Sequence, residues 1–313
     1  MYRKRINLRK VAATVACLAG MTMFVQAQTP VTINVSTLGG TDADNNAAST
    51  ESNWRYIASQ KLLYLQSANG NYTLTGTNSD LCLEIGSVAS NANVTFNGLN
   101  TKGVTSPVGC YLDCDGVTIT LIGDNYLEGT DNAFVINSSV NTCTITSSAS
   151  GKLTAKGAYG IFYNNSPANL IIIGNANVSV GGTSNVFFNP YGAIGNIKMS
   201  DAAKFTIANN TGSARTQKFE KYVPASTFVW KLTNATTTNS LTDAIISVTV
   251  AVGQSGTVER TNTTGINDVS ADTENAKVTG YFDILGRKLT EEPTKGLYII
   301  QYDNGKTKKI MKK

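Results

Sequence analysis

A 26-residue repeat in the middle of the chain constrains the fold more than any other feature. Ile119, Ile145, Ile171 and Ile197 recur at this spacing, each inside a short apolar or β-branched run. A second apolar position, then a glycine, then a third apolar run follow in order. The second positions are Leu127, Leu153, Val178 and Phe205, the glycines are Gly129, Gly157 and Gly182, and the third runs begin at Phe134, Ile161 and Val186. Each repeat therefore predicts three short strands separated by three turns.

Three strands in a period in the twenties are typical of a parallel β-helix, in which each coil buries its inner face at about 4.8 Å from the next. We therefore expect an all-β protein, a right-handed parallel β-helix of about five or six rungs over residues 61–212. A β-sandwich is the alternative, because short strands with regular turns also describe it. Open solenoid ends expose unpaired backbone groups, so residues 28–60 and 213–265 are expected to form terminal caps.

Composition excludes several kinds of enzyme chemistry. The 313 residues contain no histidine, which removes the Ser-His-Asp and Cys-His nucleophile systems and the His-ligated metal sites. Only 15% of the chain is charged, against about 25% in an average globular protein. With 28 glycines and only 6 prolines, the chain favours strands and tight turns.

The first 27 residues have the features of a secretory signal peptide. A basic segment, residues 3–10, precedes a charge-free apolar stretch, residues 11–25, and we expect cleavage after Ala27. A retained anchor is the alternative, and we predict no transmembrane segment in the mature chain. Removal of this segment leaves 21 basic and 21 acidic residues, so nucleic acid is not an expected partner.

Residues 117–129, followed by the sequence Gly-Lys-Leu-Thr at 151–154, resemble secreted bacterial β-helix proteins often described as carbohydrate-binding-domain proteins. The resemblance covers roughly residues 61–210. It implies a β-helix and a glycan or other surface polymer as the partner.

The tail resembles the C-terminal sorting domain of type IX secretion cargo in Gram-negative bacteria. The residues that carry this resemblance are 280–288, 295–300, Asn304–Gly305 and 308–310, and the upstream strands of that domain are missing. The resemblance covers residues 266–313 and implies contact with the export machinery and a secreted or outer-surface location. A plain C-terminal β cap is the alternative.

Strand alternation predicts which side chains face outward on the third strand of each repeat. If Phe134, Ile161 and Val186 point inward, an aromatic column of Tyr111, Phe162 and Phe187 faces solvent. A polar column then follows two residues later. It consists of Asp113, Asn137, Asn164 and Asn189. Rings beside hydrogen-bonding groups suit a sugar. The alternatives are that another segment covers the column, or that the asparagines form an internal ladder.

The cysteines fit an oxidising compartment. We predict Cys82–Cys110 and Cys114–Cys143 disulfides, because each pair is separated by about one repeat. A core stack of free thiols is equally consistent with the sequence.

Catalytic signatures are weak in this sequence. Asp113 and Asp115 are the one close pair of carboxylates in the repeats, and the motifs of pectin-degrading β-helix hydrolases do not occur. We predict no catalytic, metal or cofactor site, although calcium near Asp42 and Asp44 or near Asp113 and Asp115 stays open. The sequence favours a glycan-binding or adhesive surface protein. A polysaccharide lyase or glycoside hydrolase and a structural envelope protein are the alternatives.

Overall fold

The structure is a computed structural model. It describes residues 30–45, 52–102, 106–164, 168–190, 195–200, 202–209, 216–223, 228–261, 277–284, 286–303 and 307–312. These residues form β-strands and two short 3-10 helices, Val35–Thr37 and Ala58–Gln60. The prediction of an all-β parallel β-helix is confirmed, with about five coils whose equivalent positions lie ~26 residues apart.

Three sheets run along the solenoid, and the central coils contribute a strand, or half of a long strand, to each. Sheet 1 contains, in order, the parallel strands Val31–Asn34, Asn71–Thr77, Asn93–Asn100, Val117–Ile122, Thr142–Ser147, Asn169–Gly174, Ile197–Met199 and Gln217–Lys221. Sheet 2 contains Asp124–Glu128, the first halves of Lys152–Tyr163 and Asn177–Phe188, and Lys204–Ala208. Sheet 3 contains Leu62–Leu65, Cys82–Ile85, Val108–Leu112, Asn132–Ile136 and the second halves of the same two long strands.

The core consists of inward side chains stacked in register from coil to coil. In Val117–Ile122, Val117, Ile119 and Leu121 are buried while Thr118 and Thr120 face outward. This is the period of two that a strand imposes on its side chains. One apolar column on sheet 1 contains Tyr72, Val94, Ile119, Ile145, Ile172 and Met199. Each coil therefore buries its inner face against the coils on either side.

The predicted equivalence of Ile119, Ile145, Ile171 and Ile197 is correct only for the first two residues. Ile145 pairs with Ile172, and Ile171 is the outward neighbour of Thr144. Ile197 pairs with Leu170, so it faces inward but lies two residues before Met199, the member of the Ile119 column in that coil. A slip of one residue moves a side chain to the opposite face of the sheet, and a slip of two returns it to the same face in a different column.

Both ends of the solenoid carry antiparallel strands. At the N-terminal end, Trp54–Ile57 pairs with Leu62–Leu65 and with Ala43–Asp44. At the other end, Ile245–Val248 pairs with the last strand of sheet 1, Gly256–Thr261 pairs with the last strand of sheet 2, and Val229–Thr233 pairs with Gly256–Thr261. Trp230 is 1% exposed in this region, and its indole N–H donates to the Asp243 carbonyl over 3.0 Å. Antiparallel pairing thus supplies partners to edge strands that a parallel coil leaves open.

A separate four-stranded antiparallel sheet follows near the C-terminus. Its strand order is Lys288–Leu289, Val278–Phe282, Gly296–Tyr302 and Thr307–Lys312. Asp283 accepts hydrogen bonds from the Arg287 amide and guanidinium across the intervening turn. Tyr298, Ile300 and Tyr302 form a small core of their own.

The glycine that follows the second strand of each repeat stands at a tight corner. A Cβ atom on Gly182 would lie 2.2 Å from the Asn185 carbonyl oxygen, and one on Gly129 would lie 2.1 Å from the Asn132 carbonyl oxygen. Because both obstacles are backbone atoms, Gly182→Ala is expected to lower the free energy of unfolding by about 1–3 kcal/mol. Urea denaturation measures the change. Gly40→Ala is the matched control, since a Cβ atom on Gly40 would have no atom within 4 Å; equal effects of the two substitutions would contradict the corner explanation.

Candidate binding surface

A column of partly exposed aromatic side chains lies on the outer face of sheet 3. Successive coils pair Tyr64 with Glu84, Glu84 with Tyr111, Tyr111 with Val135, Val135 with Phe162, and Phe162 with Phe188. We call Tyr64, Tyr111, Phe162 and Phe188 the aromatic stripe. All four are of intermediate exposure, whereas Val135 is 3% exposed. The fold therefore aligns aromatic rings from distant parts of the sequence in one line.

The structure brings together two of the three predicted aromatic residues. Tyr111 and Phe162 lie in the stripe, but Phe187 is 3% exposed and packs in the core. The predicted orientation of Phe187 is wrong because the corner from Gly182 to Asn185 contains one more residue than the equivalent corner from Gly157 to Tyr159. The extra residue reverses the orientation of the following strand residues. Phe188 takes the outward position.

Three rings pack against one another at one end of the stripe. Tyr159 stacks on Phe188 with ring centroids 4.6 Å apart. Phe162 lies 5.6 Å from Phe188 and 6.0 Å from Tyr159. Neither Tyr159 nor Phe188 was predicted from the repeat, although Phe188 stands beside the predicted Phe187. Mutual packing holds these rings in place and leaves their remaining surface partly open to solvent.

At the opposite end of the stripe, the Tyr64 ring lies over the backbone of Gly86. A Cβ atom on Gly86 would fall 2.0 Å from a carbon of that ring. The absence of a side chain at Gly86 therefore lets Tyr64 lie close against the sheet. The sequence repeat is weak in this region, so neither Tyr64 nor Glu84 was predicted as a site residue.

Three of the four residues of the predicted polar column form a hydrogen-bonded ladder. Asn164 Nδ2 donates to Asn137 Oδ1 over 2.8 Å, and Asn137 Nδ2 donates to Asp113 Oδ1. Ser139 Oγ also donates to Asp113 Oδ1, over 3.1 Å. Asn189 does not belong to this ladder, because it follows Phe188 as Tyr163 follows Phe162 and is 7% exposed. The ladder thus fixes the side chains along one edge of the stripe. Some of their donors and acceptors are already used in bonds to one another.

The middle of the stripe carries two neighbouring carboxylates. Burial raises the pKa of Glu84, and the negative charge of Asp113 raises it further. The pKa of Tyr111 is also raised, by burial first and by Asp113 second, while the Asn164 side chain partly offsets both. Each of these shifts reflects a site in which additional negative charge is unfavourable.

Asp115, the second member of the carboxylate pair, supports a turn. Its Oδ1 accepts from the Thr142 amide over 2.8 Å and from the Asn141 amide over 3.0 Å. Partial burial favours its neutral form, but the hydrogen bonds from Asn141, Thr142 and Gly116 prevail and lower its pKa. Asp115 therefore contributes hydrogen bonds that need its ionised form.

Comparison of the chain with protein-family models, curated proteins and solved structures finds no match. In the described ranges, no group of three or more Cys, Asp or Glu side chains is arranged to hold a metal ion. The same part of the chain contains no helix of the length and apolar character needed to cross a bilayer. Ala27, the predicted cleavage position, lies outside the described residues.

The four cysteines in the described part of the chain are free thiols and do not form the predicted bridges. Cys110 pairs with Phe134 and Leu83 and points into the core, whereas Cys82 lies on the outer face of its strand, beside Glu84. Cys143 pairs with Val117 and not with Cys114. Spacing by about one repeat therefore places each pair on neighbouring coils. It does not bring the two sulfur atoms into the close geometry that a disulfide requires.

The four thiols are expected to resist alkylation in the folded protein. Burial raises the pKa of Cys82 to about 11 and those of Cys114 and Cys143 to about 12, and it raises the pKa of Cys110 as well. At pH 8 only about one Cys82 thiol in a thousand is the reactive thiolate, and the others react more slowly still. Iodoacetamide labelling followed by mass spectrometry should show none of the four modified in buffer and all four modified in urea.

The raised pKa values of these thiols predict how the free energy of unfolding depends on pH. The thiols contribute fully to the free energy of unfolding below the unfolded-state pKa of about 8.5, and this contribution is lost as the pH rises from there through the folded-state pKa values.

Rapid alkylation of the folded protein, or a non-reduced mass showing two disulfides, would contradict the free-thiol structure.

A groove on sheet 2 is a separate candidate for a binding site. It encloses about 160 Å³ beside Lys156 and Thr183, where Gly181 and Gly182 lack side chains. Ligand pockets usually enclose roughly 300–1,000 Å³. The aromatic stripe is therefore the stronger candidate for a binding site.

Proposed function

We propose that this protein is an exported, non-catalytic β-solenoid of the outer bacterial surface that binds carbohydrate along the aromatic stripe. The observation that carries the proposal is the alignment of Tyr64, Tyr111, Phe162 and Phe188 in one register column. A protein that binds a surface polymer in this way also acts as an adhesin.

Sugars match the chemistry of this surface. A pyranose ring has an apolar C–H face that packs on aromatic rings, and a rim of hydroxyl groups that need hydrogen-bonding partners. The stripe supplies the rings, and Glu84, Asp113 and Asn137 supply polar atoms along the same sheet. This combination supports binding through ring stacking with hydrogen bonds on one side.

The arrangement of the carboxylates favours binding over cleavage. Asp113 accepts hydrogen bonds from Asn137 and Ser139, and Asp115 accepts hydrogen bonds from Asn141 and Thr142. A hydrolase needs two carboxyl groups that converge on one glycosidic bond. Both aspartates instead form hydrogen bonds with the equivalent turn of the next coil. A lyase or hydrolase is therefore the second candidate.

Export is supported by the two ends of the sequence. Residues 1–27 have the pattern of a signal peptide, and residues 266–313 resemble a type IX sorting domain. The antiparallel sheet built from Val278–Phe282, Gly296–Tyr302 and Thr307–Lys312 is consistent with a small β unit of that kind. We therefore include the outer surface of a Gram-negative bacterium in the proposal.

Binding of the purified protein to a panel of host and plant glycans tests the proposal, with product analysis on the same samples. Phe162→Ala combined with Phe188→Ala is expected to weaken binding by at least about tenfold, because each truncation removes roughly 1 kcal/mol of ring contact or more. Tyr222→Ala is the control, since Tyr222 is an exposed aromatic residue, 45% accessible, outside the stripe. Cleavage products would favour the enzyme, and absence of binding would favour a structural envelope protein.

A further inference from the structure

The aromatic stripe is long, and it runs across the strands. From Tyr64 to Phe188 it crosses five intervals between neighbouring strands of sheet 3. At about 4.8 Å for each interval, the stripe extends about 24 Å along the solenoid axis. This length accommodates several linked sugar residues, whereas a single terminal sugar would cover only one or two of the rings.

The positions beside the stripe keep it narrow. Two residues before the stripe position, the strands carry Gly109, Ala133 and Gly160, which are buried and small. Two residues after it, they carry the hydrogen-bonded ladder of Asp113, Asn137 and Asn164. The surface is therefore a narrow row of rings with a polar border on one side, and Tyr159 widens it at the Phe188 end. A linear ligand parallel to the axis matches this shape, and a broad branched ligand does not.

The charges on this surface select against acidic ligands. Glu84 and Asp113 are the ionisable carboxylates of the stripe and its border, and no lysine or arginine stands in the register column between Tyr64 and Phe188. Arg55, the register neighbour of Tyr64, has its guanidinium 3.9 Å from Asp42. Carboxylates in a column that contains no basic residue repel an anionic polymer.

We infer that the ligand of the aromatic stripe is a linear, uncharged polysaccharide that lies along the solenoid axis and contacts several coils at once. The inference rests on the proposed glycan-binding function and adds the class, orientation and minimum length of the glycan. Tyr64 and Phe188 then act as the end contacts that only a long chain reaches simultaneously.

Calorimetric titration with oligosaccharides of increasing length tests the inference. The neutral probes are β-1,4-linked gluco-, xylo- and manno-oligosaccharides and α-1,4-linked gluco-oligosaccharides, each from disaccharide to octasaccharide. The acidic probes are β-1,4-linked mannuronate oligosaccharides, which differ from the mannose series only at C6. We expect the affinity for one neutral series to rise with length until the stripe is filled, by at least about tenfold overall. The mannuronate series is expected to bind at least about tenfold more weakly than that neutral series.

Substitutions at the two ends separate a long contact from a local one. Tyr64→Ala and Phe188→Ala should each weaken binding of the longest neutral oligosaccharide by about tenfold. Neither single change should alter trisaccharide binding more than about threefold, because the shorter chain can occupy the remaining rings. Gly86→Ala should reproduce the effect of Tyr64→Ala by displacing its ring, and Tyr222→Ala should have no effect.

The outcomes distinguish this inference from the function on which it rests. Equal affinity for disaccharide and octasaccharide, or preferential binding of mannuronate, would overturn the inference while leaving glycan binding intact. Absence of binding to every probe would also overturn it, and if the wider glycan panel is negative as well, the proposed function fails with it.

Discussion

Replacing Phe205 with alanine is expected to lower the free energy of unfolding by about 3–5 kcal/mol. The ring is fully buried, with centroids 5.9 Å from Phe187 and 5.6 Å from Phe219. Phe205 pairs with Val178 in one direction and with Val258 of the C-terminal antiparallel strand in the other. Truncation therefore leaves a cavity where the last coil meets the strand that covers it.

Urea denaturation followed by circular dichroism measures this loss. Tyr222→Ala is the control, because truncation of an exposed aromatic side chain away from special features should change stability by less than about 0.5 kcal/mol. Since coils of a solenoid interact mainly with their neighbours, the C-terminal coils are expected to lose hydrogen-exchange protection first. A loss below about 1 kcal/mol for Phe205→Ala would contradict the packing described here.

Replacing Asn125 with alanine is expected to cost about 3 kcal/mol, although the residue is a polar one in the core. Its Oδ1 accepts from the Leu99 amide over 2.9 Å, and its Nδ2 lies 3.2 Å from the carbonyl oxygens of Ile122, Gly123 and Lys152. The side chain is 3% exposed and satisfies backbone groups of three coils at the corner between sheets 1 and 2. Alanine leaves those groups buried without this partner.

Asn97→Ala is the matched control for Asn125→Ala. Asn97 is an exposed asparagine on the outer face of sheet 1, so its loss should change the urea midpoint little. Comparable destabilisation by the two substitutions would show that the hydrogen bonds of Asn125 contribute less than its burial implies. A fall in stability confined to Asn125→Ala supports its role as a fixed link between successive coils.

The architecture was predictable because the period of the repeat is a direct consequence of coil geometry. Alternating residues such as Ile119 and Thr120 indicate the inner and outer faces, and the glycines at Gly129, Gly157 and Gly182 mark corners where a Cβ would meet backbone atoms. These are local properties of the chain, and a sequence displays them without any knowledge of distant contacts.

The details of the candidate site were less predictable because they depend on register. The extra residue between Gly182 and Asn185 moved Phe187 into the core and Phe188 to the surface. The spacing of the cysteines suggested bridges, but Cys82 and Cys110 point to opposite faces of the same sheet. The sequence also allowed an internal ladder of asparagines. Asp113, Asn137 and Asn164 do form a ladder, but it lies on the partly exposed outer side of the sheet.

An all-β solenoid with repeating coils of about 26 residues follows from local features of the chain, because alternate apolar residues and glycines at tight corners are visible without any tertiary contact. Which rings share a surface depends instead on how the coils stack in three dimensions. Tyr64 and Phe188 are far apart in the chain, and their alignment depends on the residue count of every corner between them. A single inserted residue reverses a strand face, so the composition of the stripe is a property of the accumulated register.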